Sequence, residues 1–224
     1  MRRPAALFCA ILLLLTTASC GQQSSSSSSD SSMIDPTAEK YYDYVQSNNQ
    51  ISLLFSHQEQ KEGFEDSEMA AYAIGTFISM GKYDYQVGNS KEKFDAVTQQ
   101  CFDAKLKDYN TSMSEVIPET GKVTGTGWDM GHLYLVLKDL KKNEDGSKTA
   151  VFYSLMPDPA AQLPDAQKIK KELLSGNFED FGRVGLRELR FEEKQDEKGQ
   201  WYLKYRSANE LGEAAQPYNV YKIK

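Results

Sequence analysis

Apolar positions along the chain fall into three regimes: an unbroken run, then helical spacing, then alternation. The run extends from Ala5 to Leu15 behind Arg2 and Arg3. It has the length of a secretory h-region and is too short to span a bilayer, so residues 1–19 read as a signal peptide. Gln22 to Ser32 is polar and serine-dominated, and is expected to remain a disordered tether because it has no apolar surface to bury.

Helical spacing begins at Asp35. Asp35-Pro36 supplies a cap and a proline at the first helical position, predicting a helix through about Ser47. Gln50 to Gln60 either continues that helix or forms a second short one. Between Asp66 and Met80, residues Met69, Ala70, Ala73, Ile74, Phe77, Ile78 and Met80 make a wide apolar face that predicts a buried helix, with Gly81 as its stop. Asn89 is expected to cap the next helix, with Glu92 completing a capping box. On it, Phe94, Val97, Cys101, Phe102, Leu106 and Tyr109 form one stripe, and Tyr109 to Pro118 leads out of the helical half.

Alternation dominates the second half. His132 to Leu140 and Lys148 to Met156 read as strands joined by Lys141 to Ser147, whose Asp145-Gly146 marks a hairpin turn. Pro157, Pro159 and Pro164 interrupt the chain, and Asp165 to Ser175 reads as a short helix ended by Gly176. Arg183 to Lys194 and Trp201 to Ser207 form a second hairpin around Asp196-Glu197-Lys198-Gly199, and Tyr218 to Ile223 is expected to add an edge strand. Helices followed by such a meander imply an α+β fold, with N-terminal helices packed on one face of an antiparallel, curved sheet. No internal repeat suggests a solenoid.

Size and charge narrow the function classes. Residues 35–224, about 190 in number, suffice for one sizeable core and fall short of the length at which cores divide, so they read as a single domain. That length argues against solute capture between two lobes, since each lobe would be unusually small. Removing Arg2 and Arg3 with the signal leaves 24 basic against 32 acidic residues, a net charge of −8. Nucleic-acid binding lacks its basic footprint, and an anionic surface would not attract the domain. Cys9 leaves with the signal, and with Cys20 set apart the domain keeps only Cys101, so no intramolecular disulfide forms. On its apolar stripe Cys101 reads as a small core residue rather than a nucleophile.

Two family resemblances sharpen this. Leu15-Thr16-Thr17-Ala18-Ser19 running into Cys20-Gly21 resembles the lipobox of bacterial lipoproteins, with Thr17 where an aliphatic residue is usual. The resemblance implies that Cys20 carries a diacylglycerol and that the lipid bilayer is the first partner. It places the chain on the cell membrane, facing outside the cytoplasm, with residues 20–34 as the tether. Two acyl chains anchor stably where one is marginal. The dozen or so residues from Cys20 to Met33 span on the order of 20 Å and at most about 45 Å when stretched. An ordinary secretory peptide is the alternative, and the residues flanking Arg2-Arg3 do not support a twin-arginine signal.

The second resemblance spans most of residues 66–207. The Phe94 helix before the first long strand, the Asp145-Gly146 hairpin and the stretch Gly199-Gln200-Trp201-Tyr202-Leu203-Lys204 are similar to small exported lipoproteins of the nuclear-transport-factor-two-like family. It implies a cone-shaped sheet. The helix at Asp165 to Ser175 departs from the simplest form of that fold, and a cystatin-like or separate α+β arrangement stays open.

Catalytic and metal signatures are incomplete. Ser90-Lys91-Glu92-Lys93 matches the serine-x-x-lysine of penicillin-recognising enzymes, but no Ser-Asp-Asn accompanies it and Lys148-Thr149-Ala150 is not Lys-Thr-Gly. No Gly-x-Ser-x-Gly, phosphate loop, His-Glu-x-x-His or paired-cysteine pattern occurs. His57 sits in a polar stretch, alternation sends Asp129 and His132 to opposite faces, and Asn143 to Gly146 lacks the spacing of a calcium loop. Neither cofactor nor metal is expected.

Strand parity supplies a candidate pocket. Leu133, Leu135 and Leu137 share one face and suit the helix layer, whereas Trp128, Met130, His132, Tyr134 and Val136 share the other. That aromatic face, joined by Trp201, Leu203 and Tyr205, would suit a concavity inside a curved sheet, unless these rings are ordinary core filling. The expectation is an exported, lipid-anchored, non-catalytic protein binding an envelope small molecule, peptide or protein. One alternative is an enzyme with His132 as acid or base; another is an accessory or inhibitory surface for envelope enzymes.

Overall fold

The computed structural model describes residues 34–55, 62–127, 133–158 and 165–223. Met33–Lys224 form one compact unit.

Local chemistry starts the helices. Asp35 accepts the Thr37 amide at 2.8 Å and Pro36 occupies the first turn of α1, Pro36–Ser47, which leads into a 3₁₀ segment, Asn49–Phe55. Helix α2, Asp66–Ser79, opens with a reciprocal capping box in which the Glu65 amide donates to Glu68 at 2.7 Å, and it stops at Gly81, φ +63°. Helix α3, Lys91–Phe102, has Ser90 rather than Asn89 at its N-cap position, with no side-chain cap bond. The backbone of Asn89 is committed instead to a two-way bridge with Val123, at 2.9 and 2.8 Å, which moves the helix start one residue on. Gly88 permits this approach: its φ is +63°, and a Cβ there would lie 2.7 Å from the Val123 carbonyl oxygen. Because α3 ends at Phe102 with left-handed Asp103, buried Leu106 and half-buried Tyr109 extend the apolar stripe beyond the helix.

The strands form two antiparallel sheets. A small hairpin pairs β1, Ser114–Val116, with β2, Val123–Gly125, neither of which the apolar pattern announced. The main sheet is a meander of β3 (Tyr134–Lys142), β4 (Lys148–Pro157), β5 (Phe181–Gln195) and β6 (Trp201–Glu213), in that spatial order. Helix α4, Ala166–Ser175, follows β4, with Asp165 as its cap and Gly176 at φ +85° as its stop. The tail does not form the expected edge strand. It meets the β3 edge through one backbone bond, Tyr221 to Leu137 at 2.9 Å, beside the bulge between Leu137 and Asp139.

The sheet is covered on both faces. Leu135, Leu137, Phe152, Leu189, Phe191, Leu203 and Tyr205 pack beneath α1, the 3₁₀ segment, α2 and α3, so the N-terminal helices cover one face as expected of this α+β fold. Val136, Tyr153, Leu155 and Val184 pack on the other face against Ile169, Leu173 and Leu174 of α4 and against Phe178. Helix α1 serves both layers, with Tyr41 and Val45 in the first and Ala38 and Tyr42 in the second. Fully buried rings such as Phe94, Phe152 and Phe191 each contribute about 1.5–3 kcal/mol of transfer free energy.

Candidate functional site

The hollow that best suits a ligand lies among α1, α2, α3 and the turn between β5 and β6, and encloses about 630 Å³. Helical spacing assembles its walls. Lys40, Asp43, Tyr44 and Ser47 lie on one side of α1, beside the stripe that buries Tyr41 and Val45. Tyr72 and Thr76 descend α2 at a four-residue step that Met80, just past its end, continues, and Val97, Gln100 and Cys101 share one side of α3. The β5–β6 turn brings Trp201 and Tyr202 to the opening.

Aromatic contacts hold the indole of Trp201. Its ring meets Tyr44 edge to face at 4.5 Å and Tyr41 at 5.9 Å, while the Lys40 ammonium stands 4.0 Å from its centre. Its Nε1 is buried and has no acceptor among the described residues. A buried donor left unmet costs about 1–3 kcal/mol, which the ring's contacts must offset. Tyr44 is fixed from behind, because its hydroxyl accepts the Leu203 amide at 2.9 Å.

Titratable groups around the hollow are held in pairs. Burial pushes Glu193 upward, but hydrogen bonds from Lys148, Lys40 and Tyr41 outweigh it and hold the carboxyl at about 2. Asp43 is bound by Lys170 at 2.7 Å. Burial pushes the Cys101 thiol up to about 11, and its Sγ lies 3.9 Å from the Tyr72 hydroxyl. That hydroxyl meets Tyr205 at 3.2 Å, and burial raises both phenols well above their ordinary value. The result is an aromatic hollow floored by a quiet thiol.

A second hollow, of about 760 Å³, opens on the other face, where β4, β5 and β6 run beside the β3–β4 turn. Thr149, Glu188, Arg190, Ser207 and Asn209 line its floor. Arg190 donates to Ser147 at 3.2 Å, to Asp145 at 2.7 Å and to Glu62 at 3.1 Å, spanning the basin with its own ion pairs. Hydrogen bonds from Ser147, then from Arg190, hold Asp145 at about 2.

Of the residues expected to share one pocket, those described do not all meet. Trp128, Met130 and His132 lie outside the described residues, as do Cys20, His57 and Asp129. Tyr134 packs at 5.4 Å on Phe181 in the layer beneath α4, the face opposite Trp201 and Tyr205. Tyr205 is 1% exposed and Leu203 is fully buried, so both are core residues in this fold. Trp201 lines the hollow among α1, α2 and α3. Sequence reasoning missed Lys40, Tyr44, Tyr72 and Tyr202. The polar side of α1 next to its buried stripe was the available signal, but only the arrival of the β5–β6 turn makes it a wall.

Among the described residues no cluster of three His, Cys, Asp or Glu is placed to hold a metal ion. No protein-family model, no characterised protein and no solved structure matches this chain.

Proposed function

We propose that this chain is an exported, lipid-anchored envelope protein that binds a small ligand in the Trp201 groove without transforming it. The observation that carries the binding reading is the groove itself: a hollow of ligand size walled by Tyr44, Trp201 and Tyr202. Its titratable groups support a non-catalytic role, since Lys40 is engaged by Glu193, Asp43 by Lys170, and the Cys101 thiol is pushed upward by burial. The anchor rests on the sequence around Cys20. No helix among the described residues is long and apolar enough to cross a membrane.

Each half has its own test. In Triton X-114 partition the full chain is expected in the detergent phase and Cys20→Ala in the aqueous phase; retention of the variant in detergent contradicts the anchor. For the groove, saturation-transfer NMR on Met33–Lys224 uses the neutral probe 3,3-dimethylbutan-1-ol. Transfer to the probe that Trp201→Ala removes supports the site, and equal transfer in both proteins refutes it.

A further inference from the structure

We infer that the occupant of the Trp201 groove is a small organic ammonium ion, which rests on the groove reading above and adds the ligand's charge to it. The protein already places an ammonium there. Lys40 Nζ stands 4.0 Å from the centre of the Trp201 ring and 5.6 Å from that of Tyr41, within the reach of a cation–π contact.

Charge and shape agree with that contact. The ionised groups lining the hollow are Lys40, Asp43 and Asp196; Glu193 answers Lys40 and Lys170 answers Asp43, while the Asp196 carboxylate accepts the Lys198 and Gln200 amides of its own turn and disfavours an entering anion. Lys40 is also displaceable. Its side chain is 46% exposed on a flexible stem, and Glu193, its partner at 2.7 Å, keeps Lys148 and Tyr41 when Lys40 swings away. A methylated ammonium would set apolar surface against Tyr44 and the exposed Met80, which the hydrated head of a lysine does not do.

Calorimetry on Met33–Lys224 compares choline with its neutral isostere 3,3-dimethylbutan-1-ol. Choline is expected to bind roughly tenfold tighter, the ratio a partly desolvated cation–π contact supplies. Lys40→Ala should tighten choline a few-fold by removing the resident ammonium, and leave the alcohol unchanged. Trp201→Leu should abolish binding of both probes. Should that variant fail to fold, Trp201→Phe keeps a ring and should weaken choline more than the alcohol. Equal affinity for the two probes overturns the charge assignment and leaves the groove reading standing, whereas no binding of either overturns both. Weaker choline binding by Lys40→Ala also overturns the assignment. Displacement of choline by phosphatidylcholine vesicles supports the same chemistry and assigns it to a membrane headgroup; without displacement the ligand is a free amine.

Discussion

Two hollows lie on opposite faces of one sheet, and the larger is the less suited to a ligand. The basin of about 760 Å³ is bridged by its own charges, with Arg190 tied to Asp145, Glu62 and Ser147, so an entering molecule must break pairs that already satisfy one another. The groove of about 630 Å³ offers the rings of Tyr44, Trp201 and Tyr202 and one half-exposed ammonium, Lys40, on a flexible stem. What separates them is chemistry rather than volume. A ligand gains free energy by covering aromatic surface, and gains little where a network of paired charges must first be broken.

Substitutions can break this contrast. The largest effect is expected behind the groove, at Tyr205, whose ring packs against Tyr72 at 5.4 Å and Phe102 at 5.7 Å. Tyr205→Ala should cost about 3–5 kcal/mol in urea unfolding, as for a sealed aromatic residue. A loss below about 1 kcal/mol would mean that the ring is not part of the core.

Next comes Glu193. Its folded carboxyl, held at about 2, releases its proton more readily than the unfolded group, near 4.5, so it stabilises the fold above about pH 4.5 and loses that contribution as the pH falls towards 2. Glu193→Gln should cost on the order of 2 kcal/mol at pH 7, after allowance for its partial exposure, and the gap from the parent chain should close on acidification. A gap that widens in acid would reverse the sign of the argument.

Smaller still is the basin. Arg190→Met removes pairs with partners that are themselves exposed, Glu62 at 79% and Asp145 at 54%. It should lower Tm less than either variant above, and the difference should fade in 1 M salt. A large, salt-independent loss would make the basin a structural centre. Cys101 should leave stability untouched and report access only: thiol reagents should label it slowly in the folded chain and fully after denaturation.

The parts of the fold legible in the sequence are those decided by neighbours in the chain. Asp35-Pro36, Gly81, Asp145-Gly146 and Gly176 mark starts, stops and turns because each satisfies or frees backbone within a few residues. The displaced cap at Asn89 was not legible, since Val123 takes its backbone from more than thirty residues away. Nor was the full length of β6, which runs to Glu213 because Ser207 to Glu213 pair with Arg190 to Gly185 on β5. Parity correctly placed Leu135 and Leu137 beneath the N-terminal helices. It could not tell that the Tyr134 face lies under α4, or that Trp201 and Tyr205, both on the helix side of β6, end as a groove wall and a core ring. Which face remains open depends on what packs across it.

The central claim is that the Trp201 groove admits a ligand, and the indole reports on it directly. In ¹⁵N-labelled Met33–Lys224 the Trp201 Nε1–H signal is identified by its loss in Trp201→Phe, and it should be sensitive because the ring lines the groove. Titration with 3,3-dimethylbutan-1-ol should move that signal along a saturating curve, and Tyr44→Ala should abolish the saturation. A signal that stays in place up to the solubility limit of the probe would contradict the account.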